Sequence, residues 1–212
     1  ETQTVLSIHT FIRLVKACIQ MKNHPAAEAA ERFVFDWMMN FHRQGRLDKT
    51  PMGNIFGMAI QAWVNSWHPS SGKRAEILLG TMEDMAREGT LPFPIAAPIY
   101  NTVVKAYAIH GDVENARAIF HRCMHAFKQG NESARPNVFL WSTLLDACSK
   151  SKNPDAWKVA ENLFAAMQKK PQKWNPQGST QHNHLQLHHQ RLCQIQAAPK
   201  GRTLAAGNVQ GL

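Results

Sequence analysis

Histidine and aspartate are the side chains of this sequence best suited to chemistry, and their spacing decides what chemistry is open to them. Imidazole side chains are common ligands of zinc and nickel ions. Four histidines near the C-terminus could provide such ligands: His182, His184, His188 and His189. His110, His121 and Asp146 have no partner at the spacing of a recognised catalytic motif. The sequence also has no nucleophile elbow, phosphate loop, dinucleotide fingerprint or His-Glu-x-x-His motif. We therefore expect neither an enzyme nor a resident metal or cofactor.

Cysteine usage and hydropathy exclude two further classes of protein. Cys18, Cys123, Cys148 and Cys193 contain no Cys-x-x-Cys pair, which fits neither a zinc ribbon nor a dense disulfide framework and favours a reducing compartment. The apolar runs, such as Ile77 to Leu79, are far shorter than the roughly 20 residues of a membrane span. A composition that is 44% apolar and 18% charged is compatible with folding.

The positive charge is concentrated near the C-terminus. The chain carries 24 Lys and Arg against 15 Asp and Glu, a net charge of +9. Six of these cations follow Glu161, the last acidic residue, which leaves 18 against 15 for residues 1–161. Global charge therefore does not by itself argue for a nucleic-acid partner.

Four tryptophans could stack on bases: Trp37, Trp63, Trp67 and Trp157. They lie at helical spacing beside Ala and Met, where tryptophan more often packs between helices. We predict that they belong to the core.

Two short patterns recur four times along the chain and give its strongest signal. In the first pattern an aromatic precedes an Ala by six residues: Phe11 and Ala17, Phe56 and Ala62, Tyr100 and Ala106, Trp141 and Ala147. In the second an Ala precedes a Met by seven or eight residues: Ala30 and Met38, Ala75 and Met82, Ala116 and Met124, Ala160 and Met167. The four aromatics are 45, 44 and 41 residues apart.

Each pattern has helical periodicity, so each unit is predicted to be a pair of amphipathic helices. Gly111 suits a helix end, Asp112 a helix start, and Asn153-Pro154 a cap followed by a first-turn proline. One hairpin cannot bury its apolar face alone, whereas stacked hairpins can. The predicted fold is all-α, an α-solenoid with units near residues 5–50, 51–94, 95–136 and 137–175.

The third and fourth units resemble the pentatricopeptide repeat. The similarity is carried by Tyr100 to Tyr107, by Gly111 to Phe120, and by Arg135-Pro136-Asn137-Val138 leading into Trp141 to Cys148. The resemblance implies a right-handed superhelix that binds single-stranded RNA, one base per repeat, in a mitochondrion or plastid. It also implies a role in RNA processing, stability, editing or translation, with RNA-processing proteins as further partners and no small-molecule substrate.

By that resemblance, two polar side chains per unit read a base: the residue after the first aromatic, and the last residue of the unit. These are Asn101 with Asn137 in the third unit, a pair the family associates with pyrimidines, and Ser142 in the fourth. Asparagine both donates and accepts, so it can match either sense of a base edge. A second interpretation is that Asn101 only hydrogen-bonds to its own helix start. The first two units have side chains that cannot read a base: Ile12 with Met52, and Gly57 with Ala96.

Residues 176–212 have a different character, because they lose the helical period and are rich in Gln and His. At face value they form a low-complexity, disordered tail. Read one nucleotide later from Gln177, the codons permit a further repeat whose aromatic falls at Leu185, 44 residues after Trp141. We therefore expect an incomplete chain whose tail is a frame slip.

The alternative function is a tetratricopeptide-like scaffold that binds a peptide and reads no base. Tetratricopeptide units are about 34 residues long with a different aromatic pattern. The two hypotheses differ in whether Asn101 contributes to binding.

Overall fold

The computed structural model describes residues 8–38, 52–91 and 93–168, and these ranges are helical with no strand. The α-helices are α1 (Ile8–Met21), α2 (His24–Arg32), α3 (Met52–Ser66), α4 (Ser71–Arg87), α5 (Ala97–Ala108), α6 (Val113–Lys128), α7 (Val138–Lys150) and α8 (Ala156–Gln168). A π-helix over Phe33–Met38 continues α2, and a 3₁₀ turn over Glu132–Ala134 precedes α7. The unit limits stay predictions, and the tail at 176–212 lies outside the described residues.

The helices form two layers. The first helices of the four hairpins, α1, α3, α5 and α7, pack on one another in chain order. Each of α2, α4 and α6 packs on the first helix of its own hairpin and on that of the next, and α8 packs on α7. This arrangement is an α-solenoid, as the repeats predict.

The repeated residues form the core of these layers. The four aromatics that open the pattern are at most 6% exposed: Phe11, Phe56, Tyr100 and Trp141. The alanines that open the second pattern are all 0% exposed: Ala30, Ala75, Ala116 and Ala160. Small side chains at these positions let neighbouring helices approach closely. Ala17 is exposed, because it belongs to the first of the described hairpins.

The helix ends follow the predicted local chemistry. Asn23 Oδ1 accepts from the backbone N–H of Ala26 at 2.9 Å, and Asp112 Oδ1 accepts from that of Asn115 at 3.1 Å. Both residues are therefore N-caps. Gly111 has a φ of 69°, in the left-handed region that glycine enters without strain. Asn153 Oδ1 accepts from the Asp155 N–H at 2.9 Å, but α8 begins at Ala156, so Pro154 lies in the turn before the helix and not in its first turn as predicted.

A hydrogen-bonded cluster, which we call cluster A, joins the first hairpin to the second. Glu31 on α2 is only 3% exposed. Its carboxylate accepts from Trp63 Nε1 on α3 at 2.7 Å, and from Arg74 Nε and Nη2 on α4 at 3.0 and 2.5 Å. The buried charge is thus paired and hydrogen-bonded from two elements of the next hairpin, which is the condition for tolerating it.

An equivalent cluster, cluster B, joins the second hairpin to the third. Glu76 on α4 accepts from the Tyr107 hydroxyl on α5 and from Arg122 Nη1 on α6 at 3.0 Å, and Arg122 Nη2 pairs with Glu83. The Tyr107 ring reaches this position across Gly72, where an added Cβ would lie 2.3 Å from the ring. Burial, followed by the hydrogen bond to Glu76, raises the pKa of Tyr107.

The tryptophan prediction is right at one position and wrong at two. Trp63 is 1% exposed, but Trp67 is 66% and Trp157 is 36% exposed. Trp67 leaves the core because α3 ends at Ser66, and Trp157 is the second residue of α8. The side chain of Trp37 lies outside the described part of the chain.

The described cysteines, Cys18, Cys123 and Cys148, are free thiols. Burial raises the pKa of Cys123 to about 12 and that of Cys148 to about 11. Cys123 also donates to the carbonyl of Ala134 at 3.2 Å. The thiolate is the reactive form, so both thiols are protonated and unreactive in the folded protein at neutral pH.

We expect native alkylation by iodoacetamide to be much slower at Cys123 and Cys148 than in the urea-unfolded chain. The raised pKa values mean that the native rate climbs only as pH approaches those values. Peptide-resolved mass spectrometry measures each site separately, and the half-buried Cys18 serves as the internal comparison. Native labelling of Cys123 at the unfolded rate would contradict its burial.

Candidate nucleic-acid interface

The candidate interface lies on the first helices, at the residue that follows each buried aromatic. This position holds Ile12, Gly57, Asn101 and Ser142, and each of them is partly exposed. Four residues further along, Lys16 and Lys105 are exposed on the same helical face. The repeat therefore presents one variable residue per hairpin next to a buried aromatic.

Asn101 lies on α5, the first helix of the third hairpin. Its Oδ1 is buried without a hydrogen-bond partner, and it alone has this state among the side-chain atoms that the structure describes. A buried acceptor without a donor is uncommon and destabilising. Oδ1 of Asn101 therefore makes no local hydrogen bond at the start of its helix, contrary to the second interpretation.

Ser142 lies on α7, which packs directly against α5. Its hydroxyl donates to the Phe139 carbonyl of the preceding turn at 3.1 Å. The hydroxyl oxygen keeps its acceptor capacity while the proton is held by the helix. Ser142 can thus accept from a ligand without losing this bond, and it can donate only by breaking it.

Asn137 has a structural role that the sequence interpretation did not assign to it. It is the N-cap of α7, and its Oδ1 accepts from the Leu140 N–H at 3.1 Å. The Nδ2 group has no hydrogen bond to the described residues, so the side chain retains a donor. Of the predicted pair, Asn101 has an unpaired acceptor and Asn137 an unpaired donor.

The second hairpin has a glycine, Gly57, at the reading position, so it offers no side chain there. A Cβ added to Gly57 would lie 2.8 Å from Cδ1 of Ile99, the residue preceding the next aromatic. The first hairpin offers Ile12, which has no polar group. These two positions therefore offer no side-chain hydrogen bond to a base.

Phe139 belongs to this surface, although sequence analysis did not single it out. Its side chain is 60% exposed, and it lies one helical turn before Ser142 on α7. Exposed aromatic rings stack on unpaired bases. The available signal was its position two residues before the buried Trp141, where a core residue is not expected.

Two other kinds of site find no support in the structure. The described residues contain no group of three or more His, Cys, Asp or Glu that could hold a metal ion. His182, His184, His188 and His189 lie outside the described ranges. Within those ranges, no helix combines the length and hydropathy of a membrane span.

Comparison with known proteins gives one match. The family described as the PPR repeat matches residues 98–125, which cover α5 and most of α6. No curated protein and no solved structure matches the chain. Pentatricopeptide repeats are RNA-binding helical repeats that generally lack enzymatic activity, and no catalytic domain is matched. The third hairpin, which carries Asn101, therefore matches the pentatricopeptide repeat, and the match covers residues 98–125 of the 212-residue chain.

Proposed function

We propose that the protein binds single-stranded RNA and reads bases with its third and fourth hairpins. Asn101 and Asn137 take one base, a pyrimidine by family resemblance, and Ser142 contributes to the next. We also propose that the protein acts in organellar RNA processing, stability, editing or translation, in a mitochondrion or plastid.

The observation that carries this proposal is the unpaired amide of Asn101. Rotation about the Cβ–Cγ bond of Asn101 exchanges the positions of Oδ1 and Nδ2, so the group can offer an acceptor or a donor to a base edge. Bases of single-stranded RNA are free to present their Watson-Crick edges. A base that pairs with the amide removes the cost of the unpaired oxygen, and this gain exists only in the complex.

Charge and stacking around the amide fit the same ligand. Lys105 lies one turn from Asn101 on α5 and is exposed, so its ammonium group can pair with a phosphate. Phe139 gives a stacking surface beside Ser142. Phosphate contacts supply affinity and the amide supplies base preference.

We expect Asn101→Ala to weaken binding of the preferred RNA by about 1–3 kcal/mol, the range of a good base contact. The loss should be confined to one base position, because the alanine removes a reading group and leaves phosphate contacts in place. The measurement is selection from a randomised single-stranded RNA pool, followed by fluorescence anisotropy with the enriched sequence and its single-base variants.

Asn162→Ala is the matched control, since Asn162 is an exposed asparagine on the second helix α8. It should leave both affinity and base preference unchanged. Salt-sensitive binding without an enriched motif would refute base reading. Peptide binding that is indifferent to Asn101→Ala, with no RNA binding, would favour the scaffold.

A further inference from the structure

The turns between the two helices of successive hairpins share one unusual backbone position. Eleven residues after the buried aromatic stand Lys22, Trp67 and Gly111, with φ angles of 50°, 54° and 69°. Glycine enters this left-handed region freely, but for a bulky side chain it is a true outlier. Trp67 therefore carries backbone strain that glycine at the same place avoids.

Trp67 gains little from packing in return for this strain. Its side chain is 66% exposed, the largest value among the exposed apolar side chains of the described residues. A strained residue that is also an exposed aromatic points to a role in binding, because neither property stabilises the free protein.

The first two turns lie side by side and form one edge of the array. The imidazoles of His24 and His68 lie with their centroids 3.9 Å apart, and Asn65 Nδ2 donates to the Ile19 carbonyl at 3.3 Å. Met21, 62% exposed, precedes Lys22 on this edge. The edge therefore presents a thioether and an indole to solvent.

The charged groups on this edge favour a polyanion. Lys22 and Lys73 are exposed, and neither forms an ion pair with any described residue. Glu28 is the one acidic residue between residues 20 and 30. Its exposed carboxylate has Oε1 3.6 Å from Nε2 of His24. Exposed aromatics flanked by unpaired cations are the combination by which proteins hold single-stranded nucleic acid without reading its sequence.

We propose that this edge, formed by Met21, Lys22, Trp67 and Lys73, is a second contact for the RNA strand, in which a base stacks on Trp67 and phosphates pair with the lysines. The inference rests on the proposed RNA-binding function and deepens it. It assigns a role to the two hairpins whose Ile12 and Gly57 cannot read a base. Those hairpins hold the strand, and the third and fourth read it.

The test compares the 212-residue protein with its Trp67→Gly variant in stability and in RNA affinity. We expect the melting temperature to rise by about 2–4 °C, because glycine relieves the strain. Affinity for labelled oligouridine should fall about fivefold or more, the loss of one stacked base. Trp67→Asn, which also tolerates a positive φ, should show the same loss of affinity.

Two further variants test the phosphate contact and provide a control: Lys22→Gln and Trp157→Ala. Lys22→Gln should flatten the dependence of log affinity on log salt by about 0.7, since one phosphate contact to a single strand is removed. Trp157→Ala, on α8, should leave RNA affinity unchanged.

Three results would overturn the proposal in distinguishable ways. If Trp67→Gly leaves RNA affinity unchanged while Asn101→Ala still changes base preference, the edge does not contact RNA. The proposed function would then remain supported. If the wild-type protein binds no RNA, both the edge contact and the proposed function are refuted. Trp67→Gly that loses a protein partner but keeps its RNA affinity identifies the edge as a protein-docking surface instead.

Discussion

Gly111→Ala is expected to destabilise the protein by about 2–5 kcal/mol. Gly111 has a φ of 69°, and an added Cβ would lie 2.5 Å from the carbonyl oxygen of Lys150 and 2.9 Å from Cα of Ser151. The alanine would thus combine left-handed strain with a collision against backbone at the end of α7. Urea unfolding followed by circular dichroism measures the change in the free energy of unfolding.

Gly89→Ala separates the two contributions. Gly89 has the same φ of 69°, but an added Cβ would meet nothing within 4 Å. We expect this variant to lose only the strain energy, about 1–2 kcal/mol. Equal losses at the two positions would show that the approach of Gly111 to the α7 turn has no energetic weight.

Glu31→Ala should cost about 2–4 kcal/mol of stability. The change leaves the buried Trp63 N–H without an acceptor and leaves Arg74 without its partner. Because the Arg74 side chain is 45% exposed, solvent screens its charge, and the larger share of the loss comes from Trp63 and the vacated volume. The same urea titration gives the value.

Glu28→Ala is the control for Glu31→Ala. Glu28 lies on the same helix, one turn earlier, with a side chain 53% exposed. Its removal should change stability by less than about 0.5 kcal/mol. Glu31→Gln keeps an acceptor for Trp63 and should recover part of the loss. If Glu31→Ala were as mild as Glu28→Ala, cluster A would not hold the first two hairpins together.

The helical hairpins could be predicted because their signals are local and repeated. Ala75 and Ala116 each precede a Met by seven or eight residues, and buried alanine has one simple reason, the close approach of helices. Asp112 caps a helix through a bond that spans three residues. Interactions between residues this close in the chain can be predicted from a short stretch of sequence.

The remaining features depend on distant residues or on where a helix stops. Glu31 meets Trp63 and Arg74 across 32 and 43 residues, so their spacing carries no signal. Trp67 follows Trp63 by four residues, which places both on one face only if α3 continues. The helix ends at Ser66, and the side chain turns to solvent.

The candidate site was predicted unevenly for the same reason. Asn101 was found from its place in the repeat, but the absence of a partner for its Oδ1 depends on packing that only the structure gives. Asn137 could have been recognised as a cap from its type and its position before an apolar helix. Its capping bond and its predicted reading role use different atoms of one amide.

Among the residues that the structure describes, clusters A and B have no counterpart between the third and fourth hairpins. At the place of Trp63 and Tyr107 stands Cys148, and Arg117, which takes the place of Glu31 and Glu76, pairs with Glu114 of its own helix at 3.3 Å. In a linear array each boundary opens at its own free energy. The boundary that separates Asn101 from Ser142 is held instead by apolar and backbone packing, with the Phe120 and Trp141 ring centroids 4.6 Å apart and Gly111 packed against the backbone of Lys150.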